Sequence, residues 1–425
     1  MGNGRHRRVP RVIVAGGGLA GLACAFDLGR AGVDVELHEA SDAVGGRVRT
    51  DRRDGFLLDR GFQVFNTAYP QVRRLLPLRE LRLRPFTPGV LAHTPSGTLR
   101  LTDPTRRPRE AGSLLPGRAL AARDLAALAG LTARDALAPA ALLRRGRDRT
   151  TEAALARSGL SREAVDHVLR PFLAGVFLEP DLETSARFFH LVWRSMARGT
   201  LCLPAGGIGS VPRLLAARLP EGTVRTDSPV RSLTGAGILL QDGTERPAQA
   251  VVVATDAVTA SRLLPGTPVP PGRTVTTYYH AAGTSPLPEP TLVVDSSLTV
   301  LNTCVLSEVS GTYAPRGTSL VSTSVLDGGP PGGEAAVRRR AADLYGADTA
   351  DWQHLATYTV ENALPAMRPP WPLSRRTRVA PGRYVCGDHR ATGSVQGALA
   401  SGSRAAREVL EDLRAGPRAP HSSPR

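Results

Sequence analysis

The sequence predicts an α/β protein, α+β overall, in which a buried sheet is joined to a second region of helices and antiparallel strands. Three observations lead to this prediction. Val12–Ala15 is an apolar strand that runs into a glycine-rich turn and then an amphipathic helix. Ala250–Ala254 is apolar throughout, as a strand covered on both faces requires. Residues 273–360 instead alternate between polar and apolar, which is typical of antiparallel strands.

The glycine-rich turn has the spacing G-x-G-x-x-G at Gly16, Gly18 and Gly21. The first glycine allows a tight turn, the second lets a pyrophosphate approach the backbone, and the third lets the helix pack closely on the sheet. Phosphates would then lie at the N-terminus of the helix. Glu39 ends the next predicted strand, Val33–His38, where a carboxylate can bind a ribose hydroxyl. This unit is therefore predicted to be Rossmann-like and to bind a dinucleotide, whose identity the turn leaves open.

Length and composition predict more than one domain and no nucleic-acid partner. A chain of 425 residues suggests two or three domains of about 150 residues each. The net charge is +16, and all 54 basic residues are arginine. These arginines are scattered along the sequence and no nucleic-acid-binding motif accompanies them. The positive charge leaves open a contact between a basic surface of the protein and an anionic membrane.

The cysteines and the apolar segments predict a cytoplasmic protein, with peripheral membrane contact as the open alternative. Cys24, Cys202, Cys304 and Cys386 lie far apart and have no metal-ligand spacing, so we expect buried free thiols and no metal site. Basic residues are followed by apolar Val12–Ala25, and we interpret this stretch as part of the fold and not as a signal peptide. No apolar run approaches the ~18 residues of a membrane span.

Between the two buried strands the sequence predicts a helical insertion. A hairpin over Val90–Leu101 turns at Ser96-Gly97, and amphipathic helices are predicted at 118–129, 134–145, 150–158, 161–175 and 185–197. Further predicted helices cover 210–219 and 334–346. Thr255-Asp256 are predicted to cap the N-terminus of another helix.

Two further motifs lie at opposite ends of the chain. Gly45-Gly46-Arg47 combines a flexible backbone with a guanidinium suited to phosphate oxygens. Near the C-terminus, a strand over Arg383–Cys386 ends in Gly387-Asp388, and a helix begins near Ser394. The N-terminus of such a helix stabilises negative charge, and the Asp388 carboxylate can accept hydrogen bonds from a sugar-alcohol chain.

Together these segments resemble the flavin-containing amine oxidase superfamily, and within it the phytoene desaturase-like and carotenoid isomerase-like branch. The resemblance covers the chain except its tail, and it rests on Gly16–Gly21 with Glu39, Gly45-Gly46-Arg47, Asp59-x-Gly61, Val230 within SPVRSL, Val251–Thr255, and CGDHRATGSVQGALASG from Cys386 to Gly402. It implies FAD, and not NAD, as the cofactor. No cysteine lies in the context of a covalent flavin link, so we expect the FAD to be non-covalent.

The resemblance also implies roles for individual residues. Gly18, Leu19, Ala20 and Gly21 would lie at the pyrophosphate with Arg47, and Glu39, next to Ala40, at the adenosine ribose. The backbone of Val230 would meet the adenine. Gly61, Phe62 and Gln63 would lie along the flavin, Gly387-Asp388 at the ribityl chain or pyrophosphate, and Val395, after Ser394, at the pyrimidine edge of the flavin. The implied domains are an FAD-binding domain of residues 9–67, 200–265 and 380–414, an inserted substrate domain of 68–199 and 266–379, and a disordered tail of 415–425.

The expected activity is that of an FAD-dependent dehydrogenase, desaturase or oxidase that moves a hydride from an apolar or amine-type small molecule to flavin N5, with O₂ or a quinone as acceptor. Amine oxidases of the superfamily usually place a lysine near N5, and this chain has no lysine, which argues against amine oxidation. The Ala/Leu-rich helical insertion and the 4% aromatic content favour an apolar or polyene-like substrate. Three alternatives stay open: a non-redox polyene isomerase that uses reduced FAD, a flavin-binding protein without turnover, and, less favoured, an NAD(P) dehydrogenase. No catalytic residue or oligomeric state is assigned. A structural role is favoured for each of the polar candidates His190, Trp193, Tyr278, Tyr279, His280, Tyr358, Trp371 and His389.

Overall fold

A computed structural model describes residues 11–114, 120–145 and 147–415 of the chain. The strands are β1 Arg11–Ala15, β2 Asp34–His38, β3 Thr50–Arg53, β4 Phe56–Asp59, β5 Phe65–Asn66, β6 Leu83–Pro85, β7 Gly89–Thr94, β8 Gly97–Thr102, β9 Leu201–Pro204, β10 Val224–Arg225, β11 Val230–Leu233, β12 Gly237–Leu240, β13 Glu245–Pro247, β14 Ala250–Val253, β15 Gly272–Ala282, β16 Leu292–Asp295, β17 Asn302–Val305, β18 Ser319–Leu326, β19 Gln353–Pro365, β20 Arg378–Ala380 and β21 Arg383–Val385. The α-helices are α1 Leu19–Arg30, α2 Pro70–Leu75, α3 Ala122–Leu137, α4 Ala140–Leu143, α5 Thr151–Ala156, α6 Arg162–Ala164, α7 Arg170–Phe177, α8 Ala186–Arg198, α9 Ser210–Ala216, α10 Ala257–Leu263, α11 Leu306–Val309, α12 Gly333–Tyr345 and α13 Val395–Ala415.

The chain forms two compact units, each made from separate stretches of sequence. The first comprises the described parts of Met1–Gly46, Pro212–Pro270 and Ser374–Arg425, and the second comprises Arg47–Val211 and Pro271–Leu373. Residues 47–67 and 200–211, which the sequence assigns to the FAD-binding domain, belong to the second unit, and residues 266–270 and 374–379, which it assigns to the substrate domain, belong to the first. The functional assignment of the domains stays a prediction, and residues 416–425 of the predicted tail lie outside the described residues.

The first unit is built on a six-stranded sheet with the order β10-β2-β1-β14-β21-β20. The first five strands are parallel and β20 is antiparallel. Val12, Ile13 and Val14 are fully buried, as their apolar run predicts for a sheet covered on both faces. Helix α10 begins where predicted, because the Asp256 carboxylate accepts hydrogen bonds from the N–H groups of its first turn.

The second unit contains a seven-stranded sheet with the order β19-β15-β18-β17-β16-β7-β8. Its pairs are antiparallel, as predicted, except that β16 and β7 run parallel. The hairpin at Ser96-Gly97 is confirmed as β7 and β8. Both sheets together confirm the predicted mixture of parallel and antiparallel α/β structure.

The helical part of the second unit differs from the prediction. The expected helices at 118–129 and 134–145 are wrong: one helix, α3, continues through Gly130, and only the short α4 follows it. A single glycine costs about 1 kcal/mol within a helix and does not end it. Pro139 does end it, because a residue before proline is driven out of the helical region, and Ala138 has ψ 140°. The predicted helix start at 118 lies outside the described residues.

Buried groups in the two units agree with the expectations from composition. All four cysteines are buried free thiols.

Among the described residues, no helix combines the length and the apolar character that crossing a bilayer demands.

Candidate functional site

The residues predicted to bind the cofactor in the first unit follow the carboxyl ends of adjacent parallel strands. Gly16 follows β1, Glu39 follows β2 and Gly387 follows β21; Thr255 of the family motif follows β14, which lies between β1 and β21 in the sheet. Carboxyl ends of parallel strands meet at one edge, and ligands of open α/β sheets bind at that edge. Motifs that lie far apart in the sequence are therefore brought to one edge of one sheet.

The three glycines of the turn meet different surroundings. A Cβ on Gly16, whose φ is +112°, would lie 2.8 Å from the carbonyl oxygen of Ala254. A Cβ on Gly21 would lie 1.9 Å from the carbonyl oxygen of Gly16. A Cβ on Gly18 would have nothing within 4 Å. Gly16 and Gly21 are thus required by the fold, whereas Gly18, at the N-terminus of α1, leaves a space that a ligand can enter.

The Gly45-Gly46 motif lies directly against this turn. The N–H of Gly45 donates to the carbonyl of Gly17 at 2.9 Å, and Gly18 and Gly45 form a parallel bridge. Gly46 has φ +57°, which favours glycine. We expected the Gly45-Gly46 backbone to approach a ligand, and this backbone also lies against the glycine turn.

Glu39 is buried and held in place by three hydrogen bonds. Its carboxylate accepts from the N–H of Gly17 at 2.6 Å, and from the N–H and hydroxyl of Ser41 at 3.0 and 2.6 Å. A Cβ on Gly17 would lie 3.0 Å from Glu39 Oε2. The sequence alone did not identify Gly17 as a site residue, although Gly17 is the middle one of three consecutive glycines. The arrangement fixes the carboxylate beside Ala40 and the glycine turn.

Val230 belongs to a segment that runs alongside Glu39. The N–H of Ser228 donates to the carbonyl of Glu39 at 2.9 Å, and the N–H of Asp227 donates to the carbonyl of Ser41 at 3.0 Å. The buried His38 ring also contacts the Ser228 hydroxyl, with Nδ1 and Oγ 2.8 Å apart. Burial lowers the pKa of His38. Val230, two residues beyond Ser228, therefore begins β11 close to the predicted ribose carboxylate.

The C-terminal motif forms a strand, a short turn and a capped helix. The N–H of Gly387 donates to the hydroxyl of Ser401 at 3.1 Å, and Asp388 is buried with its Oδ1 accepting from the N–H of His389. The Ser394 hydroxyl accepts from the N–H of Gly397 at 3.0 Å, so Ser394 is the N-cap of α13 and Val395 is its first residue.

Helix α13 packs on α1 through a glycine. A Cβ on Gly402 would lie 1.9 Å from the carbonyl oxygen of Ala20. This close approach ties the C-terminal motif to the helix that carries the glycine turn. The sequence reasoning placed Gly402 within the family motif and assigned it no packing role.

The remaining predicted residues lie in the second unit. Arg47 donates from Nη1 to the carbonyls of Asn362 and Ala363 in β19, at 3.0 and 2.5 Å, and Gln63 donates to the carbonyl of Arg47 at 3.0 Å. Gly61 has φ +84°, and the N–H of Phe62 donates to the Thr277 hydroxyl at 3.3 Å. These four residues are grouped around β15 and β19.

Asp59 is a buried centre of hydrogen bonding in the second unit, and the sequence reasoning did not assign it a role. It is 1% exposed. Its Oδ1 accepts from the Thr50 hydroxyl at 2.5 Å and the Ile208 N–H at 2.9 Å, and its Oδ2 accepts from the Tyr313 hydroxyl at 3.0 Å. Burial raises the pKa of Tyr313, which keeps that hydroxyl a donor. Asp59 thereby fixes the strand that leads to Gly61.

Several polar candidates have partners within the protein, in line with the structural role favoured for them. His190 Nδ1 lies 2.7 Å from Asp135 Oδ2, and His280 Nε2 lies 2.9 Å from Glu334 Oε1. The hydroxyl of Tyr279 donates to the carbonyl of Asp59 at 2.8 Å, and Trp193 and Tyr358 also donate hydrogen bonds. Within the described ranges, no three histidine, cysteine, aspartate or glutamate side chains are grouped as metal ligands.

Replacing Glu39 by alanine is expected to weaken flavin retention, because the carboxylate holds the Gly17 N–H and is the predicted ribose ligand. Loss of a charged hydrogen-bond acceptor costs about 1.5–3 kcal/mol, or roughly 10- to 150-fold in affinity. The flavin content of the purified protein and titration of the apoprotein measure this effect. Glu36→Ala, on the strand β2 that precedes Glu39, is the control, and an equal loss in both variants would contradict a specific role for Glu39.

The glycine turn and the buried Glu39 carboxylate, at the carboxyl edge of a parallel sheet, are features of the class of dinucleotide-binding folds. A family model, "Flavin containing amine oxidoreductase", matches residues 19–410. The chain therefore belongs to the flavin-containing amine oxidoreductase family, as the sequence resemblance predicted.

Individual relatives agree with this family over shorter stretches. Coproporphyrinogen III oxidase of Propionibacterium freudenreichii subsp. freudenreichii is 38% identical over 78 residues, which cover 18% of this chain and 15% of that protein. A 4,4'-diapolycopene oxygenase of Methylomonas sp. is 49% identical over 51 residues, which cover 12% of this chain and 10% of that protein. The chain thus matches less than a fifth of the length of these curated relatives.

A solved structure extends the likeness to the whole fold. Cyclohexylamine oxidase from Brevibacterium oxydans has a TM-score of 0.69 at 16% identity, over 95% of this chain and 99% of that chain. At this identity the likeness concerns the fold alone.

Proposed function

We propose that this protein is an FAD-dependent oxidoreductase that binds its cofactor non-covalently and oxidises a small organic molecule. The observation that carries the proposal is the space at Gly18. A side chain would be tolerated there by the protein itself, yet the chain keeps a glycine at the N-terminus of α1, where phosphates bind. Glu39 and the Gly45-Gly46 backbone border the same turn.

The residues present fit such a cofactor. Gly18–Gly21 would hold the pyrophosphate, Glu39 the ribose, and the N-terminus of α13 at Val395 would stabilise negative charge on the flavin. Asp388 would bind the ribityl chain. Bound FAD supplies a hydride acceptor that O₂ or a quinone can reoxidise.

The substrate we propose is apolar and not a primary amine. The family usually provides a lysine near the flavin, and this chain has none. Several of the polar side chains considered for catalysis already have partners within the protein. Orientation of a C–H bond and exclusion of water are then what the protein contributes to the reaction.

The proposal is tested by anaerobic mixing of the flavoprotein with amines, porphyrinogens and isoprenoids, with flavin absorbance as the readout. We expect an apolar compound to bleach the flavin and the amines to leave it oxidised. Bleaching by amines alone would overturn the substrate assignment. Turnover that needs prior reduction and consumes no electrons would instead establish the isomerase. Purified protein without flavin would reject the proposal.

Denaturation is expected to release all of the flavin into solution, because no cysteine is suited to a covalent link. Burial raises the pKa of the Cys202 and Cys386 thiols to about 12, and it also raises those of Cys24 and Cys304. Thiolates are the reactive form, and burial disfavours that form in all four thiols. Acid precipitation followed by absorbance of the supernatant measures the release, and flavin retained in the pellet would contradict non-covalent binding.

A further inference from the structure

The turn between α3 and α4 exposes an unusual amount of apolar surface. Leu137 is 80% exposed and Leu142 is 56% exposed, more than any other large apolar residue in the described ranges. Pro139 and Ala141, between them, are also exposed. We call these four residues the apolar tip. Two large apolar side chains exposed within six residues of the chain are costly in water, and exposed apolar patches mark a surface that another apolar phase covers.

Arginines surround the apolar tip. Five lie in residues 131–149 and three on α8, which packs against both α3 and α4: Arg134, Arg144, Arg145, Arg147, Arg149, Arg187, Arg194 and Arg198. Arg194 donates to the carbonyls of Asp135, Ala136 and Ala138 at 2.6–2.9 Å, and Arg198 donates to Ala136 at 2.9 Å. The positive charge is therefore held at the C-terminal end of α3. Arginines that are scattered in the sequence are concentrated here by the fold.

The carboxylates of this region do not reach solvent. The side chain of Asp135 is 0% exposed and pairs with Arg134, and that of Asp148 is 2% exposed and pairs with Arg187. Across the described residues of 131–149 and 186–198 these are the acidic side chains, so the exposed charge is positive throughout. Arg144, Arg145 and Arg147 are exposed next to Leu142.

We propose that the apolar tip and its arginines dock this protein on an anionic lipid bilayer. Leu137 and Leu142 would enter the boundary between headgroups and acyl chains, and the guanidinium groups would bind lipid phosphates in the plane above them. A nucleic acid would satisfy the arginines and leave the leucines in water. A bilayer offers phosphates to the arginines and an apolar interior to the leucines. This docking is independent of the cofactor, and it would give the protein access to apolar compounds dissolved in the membrane.

Sedimentation of the full-length protein with vesicles tests the proposal. We expect binding to vesicles of phosphatidylcholine with 30% phosphatidylglycerol at about 0.1 M salt, and little binding to phosphatidylcholine alone. Arg144→Ala/Arg145→Ala should weaken binding by about 25-fold, at roughly fivefold for each arginine. Leu137→Ser/Leu142→Ser should weaken it by at least about tenfold.

Matched variants on other surfaces serve as controls. Arg407→Ala/Arg414→Ala removes two exposed arginines from α13, and Val269→Ser/Val379→Ser removes two apolar side chains that are 46% and 43% exposed. Both controls should sediment like the parent protein, and all variants should keep its flavin content and thermal midpoint. No sedimentation of the parent with anionic vesicles would overturn the proposal, as would equal losses in the controls. Binding to a protein or nucleic acid without binding to vesicles would also overturn it.

Discussion

Gly18→Ala is expected to weaken flavin binding by about 10- to 100-fold while the apoprotein stays as stable as its parent. A Cβ at this position meets no protein atom within 4 Å, and the backbone there has φ −70°, which alanine adopts without strain. The added methyl group would occupy the space proposed for the pyrophosphate. Overpacking of a close contact costs about 1–3 kcal/mol, which gives the expected loss of affinity.

Gly21→Ala is the matched comparison, because it adds the same methyl group three residues later. Here the Cβ would lie 1.9 Å from the carbonyl oxygen of Gly16, so the strand and helix must separate. We expect this variant to lose stability as an apoprotein, by roughly 1–3 kcal/mol or more, as well as flavin. Thermal unfolding of both apoproteins and fluorescence titration with FAD separate the two effects. A Gly18→Ala protein that binds FAD like the parent would contradict the site.

Asp59→Ala is expected to lower the free energy of unfolding of the second unit by about 3–5 kcal/mol. The change leaves the Thr50 hydroxyl, the Ile208 N–H and the Tyr313 hydroxyl without their shared acceptor in a buried site. Each buried donor left unsatisfied costs about 1–3 kcal/mol, and losses above 4–5 kcal/mol are exceptional for one substitution. Urea unfolding followed by tyrosine fluorescence and circular dichroism measures the loss.

Two further variants show whether the loss comes from this network. Tyr313→Phe removes one hydrogen bond and should cost about 1 kcal/mol. Asp343→Ala removes a carboxylate that is 66% exposed and should stay within about 0.5 kcal/mol of the parent. An Asp59→Ala protein as stable as the Asp343→Ala protein would show that the network contributes little.

Patterns that are local in the sequence predicted the fold correctly. The buried strands β1 and β14, the glycine turn and the cap at Asp256 each depend on residues a few positions apart, and the structure contains all of them. The predicted α3 boundary is wrong: the helix tolerates Gly130 and ends before Pro139, and the balance between these two residues sets its length. Propensity alone does not decide such a balance.

The parts of the site that the sequence did not reveal depend on contacts between distant residues. Gly402 is constrained by Ala20, and Asp59 by Tyr313, so neither role is visible in neighbouring residues. The arginines around Leu137 likewise come together only when α8 packs on α3 and α4. Spacing rules cannot detect such groupings, because the sequence separations involved follow no period.

The strand order of the first unit has a consequence for how the protein is made. The glycine turn after β1 is synthesised before β14 and β21, yet β1 pairs with β14, and β14 pairs with β21. Helix α13, which packs on α1, comes later still. Strand pairs between such distant segments form slowly, and they form after the pairs between neighbouring segments. The sheet edge that carries the predicted cofactor-binding residues is thus completed only after α13 has been synthesised, so we expect the cofactor to be loaded after that point.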